Sequence, residues 1–343
     1  RNGRCSFESP AVSPAAYERV LCYMRLPQPF IDSQFFQFGA LKEFLGALGG
    51  SVDKAEIREI ERISALGLPP ITSVDALGVL FGVNTGLLWS ILHNSDRYYR
   101  RFVLPKGRGF REICAPRVSL KVIQKWISVQ LCRNWHAAQH VYGFVPGRSH
   151  VDAARVHLGA TWVFSVDIAN FFGTTPQAVV VTGLTRLGYS LECARLMSDF
   201  CCLREVLPQG APSSPVLSNI AISSIDRELE TFADYYGTRL SRYADDIVFS
   251  GVGEFPARLQ TDIAALFDRS PWRLAAGKTE MSKLPNRLKV HGLLVHGDRI
   301  RLTKGYRNRL RAFRHLVSAG RIRDVDLSRV RGHIVFSDFI ERN

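Results

Sequence analysis

The stretch from Thr238 to Ser250 constrains this chain more than any other. Arg239 to Tyr243 and Ile247 to Phe249 both have strand character, and only Ala244-Asp245-Asp246 lies between them. The segment therefore predicts a β-hairpin with two adjacent carboxylates at its turn. Adjacent carboxylates repel each other, and a divalent cation with a taste for hard oxygen ligands relieves that repulsion. Taken alone, two aspartates at a surface turn are more often simply solvated.

Two further segments change that balance. Trp162 to Ile168 is a short, nearly continuous apolar strand with Asp167 at its end and Phe171-Phe172 just beyond. The bland reading makes Asp167 the cap of a following helix and puts both phenylalanines in the core. Leu207-Pro208-Gln209-Gly210-Ala211-Pro212-Ser213-Ser214-Pro215 predicts a rigid extended turn. In it Gly210 admits close backbone approach and Pro215 begins the next helix. Its bland reading is a structured loop with a helix cap. Two carboxylates from one hairpin and a third from a neighbouring strand can hold two Mg²⁺ ions, because Mg²⁺ keeps water and substrate phosphate in its shell and needs few protein ligands.

The rest of the chain reads as mixed α and β. Helical spacing covers Leu41–Leu48 and Ile57–Leu66. It returns from Ser73 (as a cap) through Phe81, over Thr85–Asn94 and over Leu120–Trp135. Tyr98–Leu104 and Phe110–Cys114 form a hairpin about the turn Pro105–Gly109. Helices follow over Thr175–Gly188, Leu191–Cys202, Pro215–Phe232 and Phe255–Arg269, then a strand pair, Lys289–Val295 and Asp298–Leu302, around His296-Gly297. Lys304–Gly320 and Leu327–Ile340 are two basic helices. Strands interleaved with helices without regular βα alternation predict an α+β fold. The 343 residues carry 45 Lys and Arg against 31 Asp and Glu, a formal charge of +14, which favours a polyanionic partner. No run of about 18 apolar residues exists, so no transmembrane helix and no membrane partner is expected. Arg1 to Pro10 has no apolar signal core. Seven cysteines with no CxxC pair argue against disulfides and a zinc site, and point to a reduced, cytoplasmic protein.

In order and spacing, Val166-Asp167 with its trailing aromatics, Leu207–Asn219 and Tyr243-Ala244-Asp245-Asp246 resemble the three palm motifs of the reverse-transcriptase family. The long second motif, with two serines before Pro215, looks most like bacterial retron enzymes. Flanking segments extend the resemblance over roughly residues 80–343. Pro105–Pro116, with Lys106 and Arg111, resembles the fingers hairpin over the incoming triphosphate, and two cations beside a glycine turn suit that ligand. Tyr142–Ser149, with Arg148, resembles a template-touching fingers motif. Gly277-Lys278-Thr279 resembles the palm motif whose lysine approaches the leaving phosphate, and Leu288–Leu294 the primer grip. Val330–Ile340 resembles a thumb helix.

The resemblance implies a right-hand polymerase: an N-terminal helical extension over 1–75, fingers over 76–160, palm over 161–300 with fingers elements near 176–206, and a small helical thumb over 301–343. It implies Asp167, Asp245 and Asp246 as ligands of two Mg²⁺ ions, with the Ile168 carbonyl assisting and Mn²⁺ as a substitute. Phe172 would be the aromatic gate against a ribose 2′-hydroxyl, and Gln209 with Gly210 would meet the nascent pair. Tyr243 would pack on the primer end. Arg307, Arg311 and Arg314 would grip the nucleic-acid backbone; a solvated helix face is the bland reading. In two places the chain departs from the retron pattern. Ala153-Ala154-Arg155-Val156-His157 keeps only the histidine of an Asn-Ala-x-x-His element, and a lone histidine such as His157 is by default a packed residue. Val290-His291-Gly292 stands for Val-Thr-Gly. Both elements are linked to recognition of a non-coding RNA.

The implied activity is RNA-directed DNA synthesis with dNTPs on a structured non-coding RNA, leaving an RNA-linked DNA copy. An effector or toxin protein, a host ribonuclease H and anti-phage defence go with it. An untemplated or protein-primed defence polymerase, and an RNA-binding scaffold with a relic polymerase fold, remain alternatives at this stage.

Overall fold

The computed structural model describes residues 28–107 and 109–342. The first part of the expected N-terminal extension, 1–27, lies outside the described residues, as do Arg108 and the side chain of Lys106. In chain order the helices α1 (Gln28–Asp32), α2 (Leu41–Leu48), α3 (Lys54–Ala65), α4 (Val74–Phe81) and α5 (Thr85–His93) come first. The β1 (Tyr99–Lys106) and β2 (Gly109–Pro116) hairpin follows, then α6 (Val118–Asn134), α7 (His150–Arg155) and β3 (Trp162–Asp167). Next are α8 (Gln177–Arg186), α9 (Leu191–Cys201), α10 (Ser214–Tyr235), β4 (Arg239–Tyr243), β5 (Asp246–Gly251) and α11 (Ala257–Asp268). The chain continues with β6 (Glu280–Lys283), β7 (Lys289–Val290), β8 (Leu293–Leu294) and β9 (Arg301–Leu302). It closes with α12 (Lys304–Ser318) and α13 (Asp324–Arg342).

Local chemistry fixes many of these ends. Ser73 caps α4 by accepting from the Ala76 N–H, and Asp53 caps α3 through the Glu56 N–H. Ser149 and Asp152 form a reciprocal capping box on α7.

The central sheet has the order β4-β5-β3-β6, and all its neighbours are antiparallel. Successive side chains on a strand face opposite ways, so β3 and β5 each feed two cores. Trp162, Phe164 and Val166 of β3 and Ile247 and Phe249 of β5 join the larger core, which includes residues of α8, α10 and α11. Residues of α2, α3, α4 and α6 belong to that same core, among them Phe44, Ile60, Leu77 and Trp126. Val163 and Val248 face the other way. They pack with Val290, Leu293, Leu302, Leu310 and Ile340, which tie the β7-β8-β9 sheet and the last two helices to the underside of the central sheet.

The structure differs from the sequence reading at three points. The strand pair around His296-Gly297 is a three-stranded sheet with its first tight turn at His291-Gly292, because these two residues take left-handed φ values of +48° and +81°. Strand β6 was not expected. Its residues are mostly exposed and show no apolar alternation, so the sequence offers no strand signal there. Asp167 does not cap a helix, since α8 begins ten residues later.

Candidate active site

Strand parity places the aspartates. Asp167 and Asp246 are direct cross-strand partners at the end of the β3–β5 ladder. They share the side-chain parity of Val163 and Val248, so both carboxylates project from the sheet face opposite the larger core. Asp245 sits in the turn, and its carbonyl accepts from the Ile168 N–H at 2.9 Å. Ile168 itself is buried. The Lys278 ammonium donates to Asp167 Oδ1 at 2.6 Å, and His291 Nδ1 stands 3.0 Å from Asp246 Oδ2. Among the described residues no three acidic, histidine or cysteine side chains converge at metal-ligating distance. The donor chemistry nevertheless suits a hard divalent ion: the three aspartates offer only oxygen, and a metal would replace the Lys278 charge on Asp167.

Asp167, Ile168 and Asp245 open onto a cavity of about 610 Å³. Phe172, Gln209, Lys278, Arg111 and Phe144 also line it. The second motif is fastened to the β1–β2 hairpin there. The Gln209 carbonyl accepts from the Cys114 N–H at 2.7 Å, and Gly210 has φ +116°. A Cβ on Gly210 would stand 2.7 Å from Ile113 Cγ2, so the close approach requires glycine.

A buried network beneath the Ala244-Asp245 turn escapes sequence reasoning. Arg242 has the parity of Leu240, toward the larger core, and meets Asp226 of α10 in a two-pronged ion pair, with Nε and Nη2 at 2.6 and 2.7 Å. The two side chains are 0 % and 2 % exposed. Burial pushes the Asp226 carboxyl up, but the Arg242 charge and the Arg242 and His140 contacts outweigh it and hold the carboxyl below its ordinary range. Arg242 Nη1 also donates to the Ala244 carbonyl at 3.0 Å and to Asn219 Oδ1 at 3.1 Å, while Asn219 Nδ2 donates to the Gly143 carbonyl at 2.9 Å. The network thus holds Ala244 at φ +58°, a conformation that costs a non-glycine residue about 1–2 kcal/mol. The available signal was a charged residue, Asp226, on the apolar stripe of α10 between Ile222 and Leu229.

Tyr243 lies beside the rings of His291 and His150, at 5.4 and 6.2 Å, and His150 stacks on Phe336 of α13 at 5.4 Å. Arg307, Arg311 and Arg314 are exposed on α12, with Arg314 bound to Asp338 at 2.6 Å. The Arg148 guanidinium donates to the Ala138 and Val141 carbonyls, each at 2.6 Å, and so holds its own loop. Lys106 lies near the hairpin tip, its backbone paired with Gly109. His157 is a packed residue, with its two ring nitrogens 2.7 and 2.8 Å from Ser250 Oγ and Ser241 Oγ.

The reverse transcriptase (RNA-dependent DNA polymerase) family model matches residues 104–293, more than half of the chain. The chain belongs to the reverse-transcriptase family. This reverse transcriptase is 25 % identical over 286 residues to the Retron Ec86 reverse transcriptase of Escherichia coli, covering 82 % of this chain and 89 % of that one. It is 29 % identical over 292 residues to the Retron Mx65 reverse transcriptase of Myxococcus xanthus, covering 78 % and 68 %. Among solved structures it is similar to apo telomerase from Candida tropicalis truncated from its C-terminal domain, with a TM-score of 0.43, 12 % identity and coverage of 64 % and 61 %. It is an RNA-directed DNA polymerase of retron type. No helix among its described residues is long and apolar enough to cross a membrane.

Proposed function

We propose that this reverse transcriptase copies part of a bound structured RNA into single-stranded DNA by two-metal nucleotidyl transfer. The observation that carries this reading is the cross-strand pair Asp167–Asp246, with Asp245 in the adjoining turn, on one sheet face at the mouth of a cavity lined by Phe172, Gln209 and Lys278. When bound at these carboxylates, Mg²⁺, or Mn²⁺ in its place, supplies the charge that activates the primer hydroxyl and steadies the leaving pyrophosphate. Asp167, Asp245 and Asp246 would hold the ions, and the Ile168 carbonyl would assist. Lys278, released from Asp167, would meet the triphosphate together with Arg111, both of which line the cavity, and Lys106 would join them as the family resemblance implies. Phe172 excludes a ribose 2′-hydroxyl and selects deoxynucleotides. Gln209 and Gly210 position the nascent pair, while Tyr243, His291 and Gly292 receive the primer end. Exposed Arg307, Arg311 and Arg314 bind phosphate.

As a retron-type enzyme it starts from an RNA 2′-hydroxyl and leaves a branched RNA–DNA product. A separate ribonuclease H removes template, and an effector protein of the same locus acts with it in anti-phage defence. The test is primer extension on RNA by an Asp245→Asn, Asp246→Asn double variant, together with sequencing of the nucleic acid that copurifies with the native protein. The expected result is loss of extension by at least about 10²-fold with RNA still bound, and a discrete structured RNA joined to its complementary DNA. Undiminished extension by the variant would defeat the carboxylate assignment, and homopolymeric DNA would point instead to untemplated synthesis.

A further inference from the structure

Phe144 sits at φ +61°, a left-handed conformation that bulky side chains rarely adopt. Its surroundings enforce it. The Gly143 carbonyl accepts from buried Asn219 at 2.9 Å, and the Tyr142 N–H donates to the Arg242 carbonyl at 2.8 Å. The Arg148 N–H closes the turn on the Val145 carbonyl at 3.2 Å. The strain brings no core packing in return: Phe144 remains 38 % exposed, with its ring in the cavity wall. There its centroid lies 5.8 Å from that of Phe172, tilted by 36°.

Phe172 is backed on another side by a fixed wall. Phe171 lies 5.7 Å from it and 6.4 Å from Trp272, whose indole N–H donates to Thr175 Oγ1 at 2.9 Å. Trp272 is fully buried. One flank of Phe172 therefore rests on the buried core, while the cavity flank is bounded by Phe144. We propose that Phe144 is a positioning residue for sugar selection: it stops Phe172 from rocking into the cavity and so fixes the width of the slot that must accept a 2′-deoxyribose and refuse a ribose. This rests on the assignment of Phe172 as the gate.

The experiment compares kcat/KM for dCTP and CTP on one RNA template–primer in the wild-type enzyme, Phe172→Ala, Phe144→Ala and the double variant. Phe144→Ala is expected to narrow the dCTP/CTP preference by about 3- to 10-fold, the range an aromatic pair contributes. Phe172→Ala should narrow it further. The double variant should match Phe172→Ala, because Phe144 acts only through Phe172. Phe144→Leu, which keeps apolar volume, covers a failure of the alanine variant to fold and should fall between wild type and alanine. A relaxed Phe172→Ala beside an unchanged Phe144 variant overturns the bracing role alone. An unchanged Phe172→Ala overturns the gate itself, and the bracing role with it.

Discussion

Gly143→Ala tests how closely the turn that carries Asp245 is built. A Cβ on Gly143 would stand 2.1 Å from the Ala244 N and 2.8 Å from the Tyr243 carbonyl carbon. Both are backbone atoms, so no rotamer change relieves the clash, and the first approach is about 1.3 Å short of the 3.4 Å at which ordinary contact begins. Neither neighbour is free to retreat. Gly143 is tethered through its carbonyl to Asn219, and Ala244 through its carbonyl to Arg242. Overpacking of this kind costs about 1–3 kcal/mol of stability. The displacement falls on Asp245 and Asp246, next to Ala244, and a misplacement of about 1 Å at a reacting centre costs on the order of 10²-fold in rate. The assay is single-nucleotide extension on an RNA template with saturating dNTP, alongside urea denaturation. The expected result is a kcat lower by about 10²-fold in a protein that still folds and binds template. Wild-type kcat with wild-type stability would refute the proposed rigidity of the turn.

Four other outcomes follow from the same structure. Asp226→Asn should destabilise the fold by about 3–5 kcal/mol in urea denaturation, since it strands a buried guanidinium, whereas Asp226→Asn with Arg242→Met should recover much of that loss. Burial holds the His157 imidazole down to about 3, against an ordinary value near 6.5. It therefore stabilises the fold fully above about pH 6.5, and that contribution falls by about 1.4 kcal/mol per unit as the pH drops below it. Urea denaturation at pH 7.5 and 5.5 should show the loss, and His157→Gln should remove most of it, with His150, held down by burial and by His291, contributing in the same sense. Phe172→Ala should raise ribonucleotide incorporation by about tenfold or more, taking the slot contact as worth at least about 1.4 kcal/mol, and unchanged sugar preference in steady-state incorporation would count against the gate. Replacing Arg307, Arg311 and Arg314 by alanine should lower the slope of log affinity against log salt by about one for each phosphate that is no longer neutralised, and an unchanged slope would place the template elsewhere.

Much of the site was legible because its chemistry is local. Apolar Trp162–Val166 ending in Asp167 declares a buried strand with a charge at its mouth, and Tyr243-Ala244-Asp245-Asp246 declares a hairpin turn, since short-range period and turn chemistry belong to the residues themselves. The helix starts at Ser73 and near Pro215 were readable for the same reason. Strand β6 was not, because an exposed edge strand carries no apolar alternation. Cross-strand register was also out of reach: that Asp167 faces Asp246 follows from how two segments some eighty residues apart pair. Nor does the sequence mark Asp226 and Arg242 as a pair, or Gly143 as the seat of Ala244. A buried ion pair and a close backbone approach come into being only when helix, strand and loop pack together. The sequence by itself determined which residues are candidates for the chemistry, and tertiary packing decided how rigidly they are held.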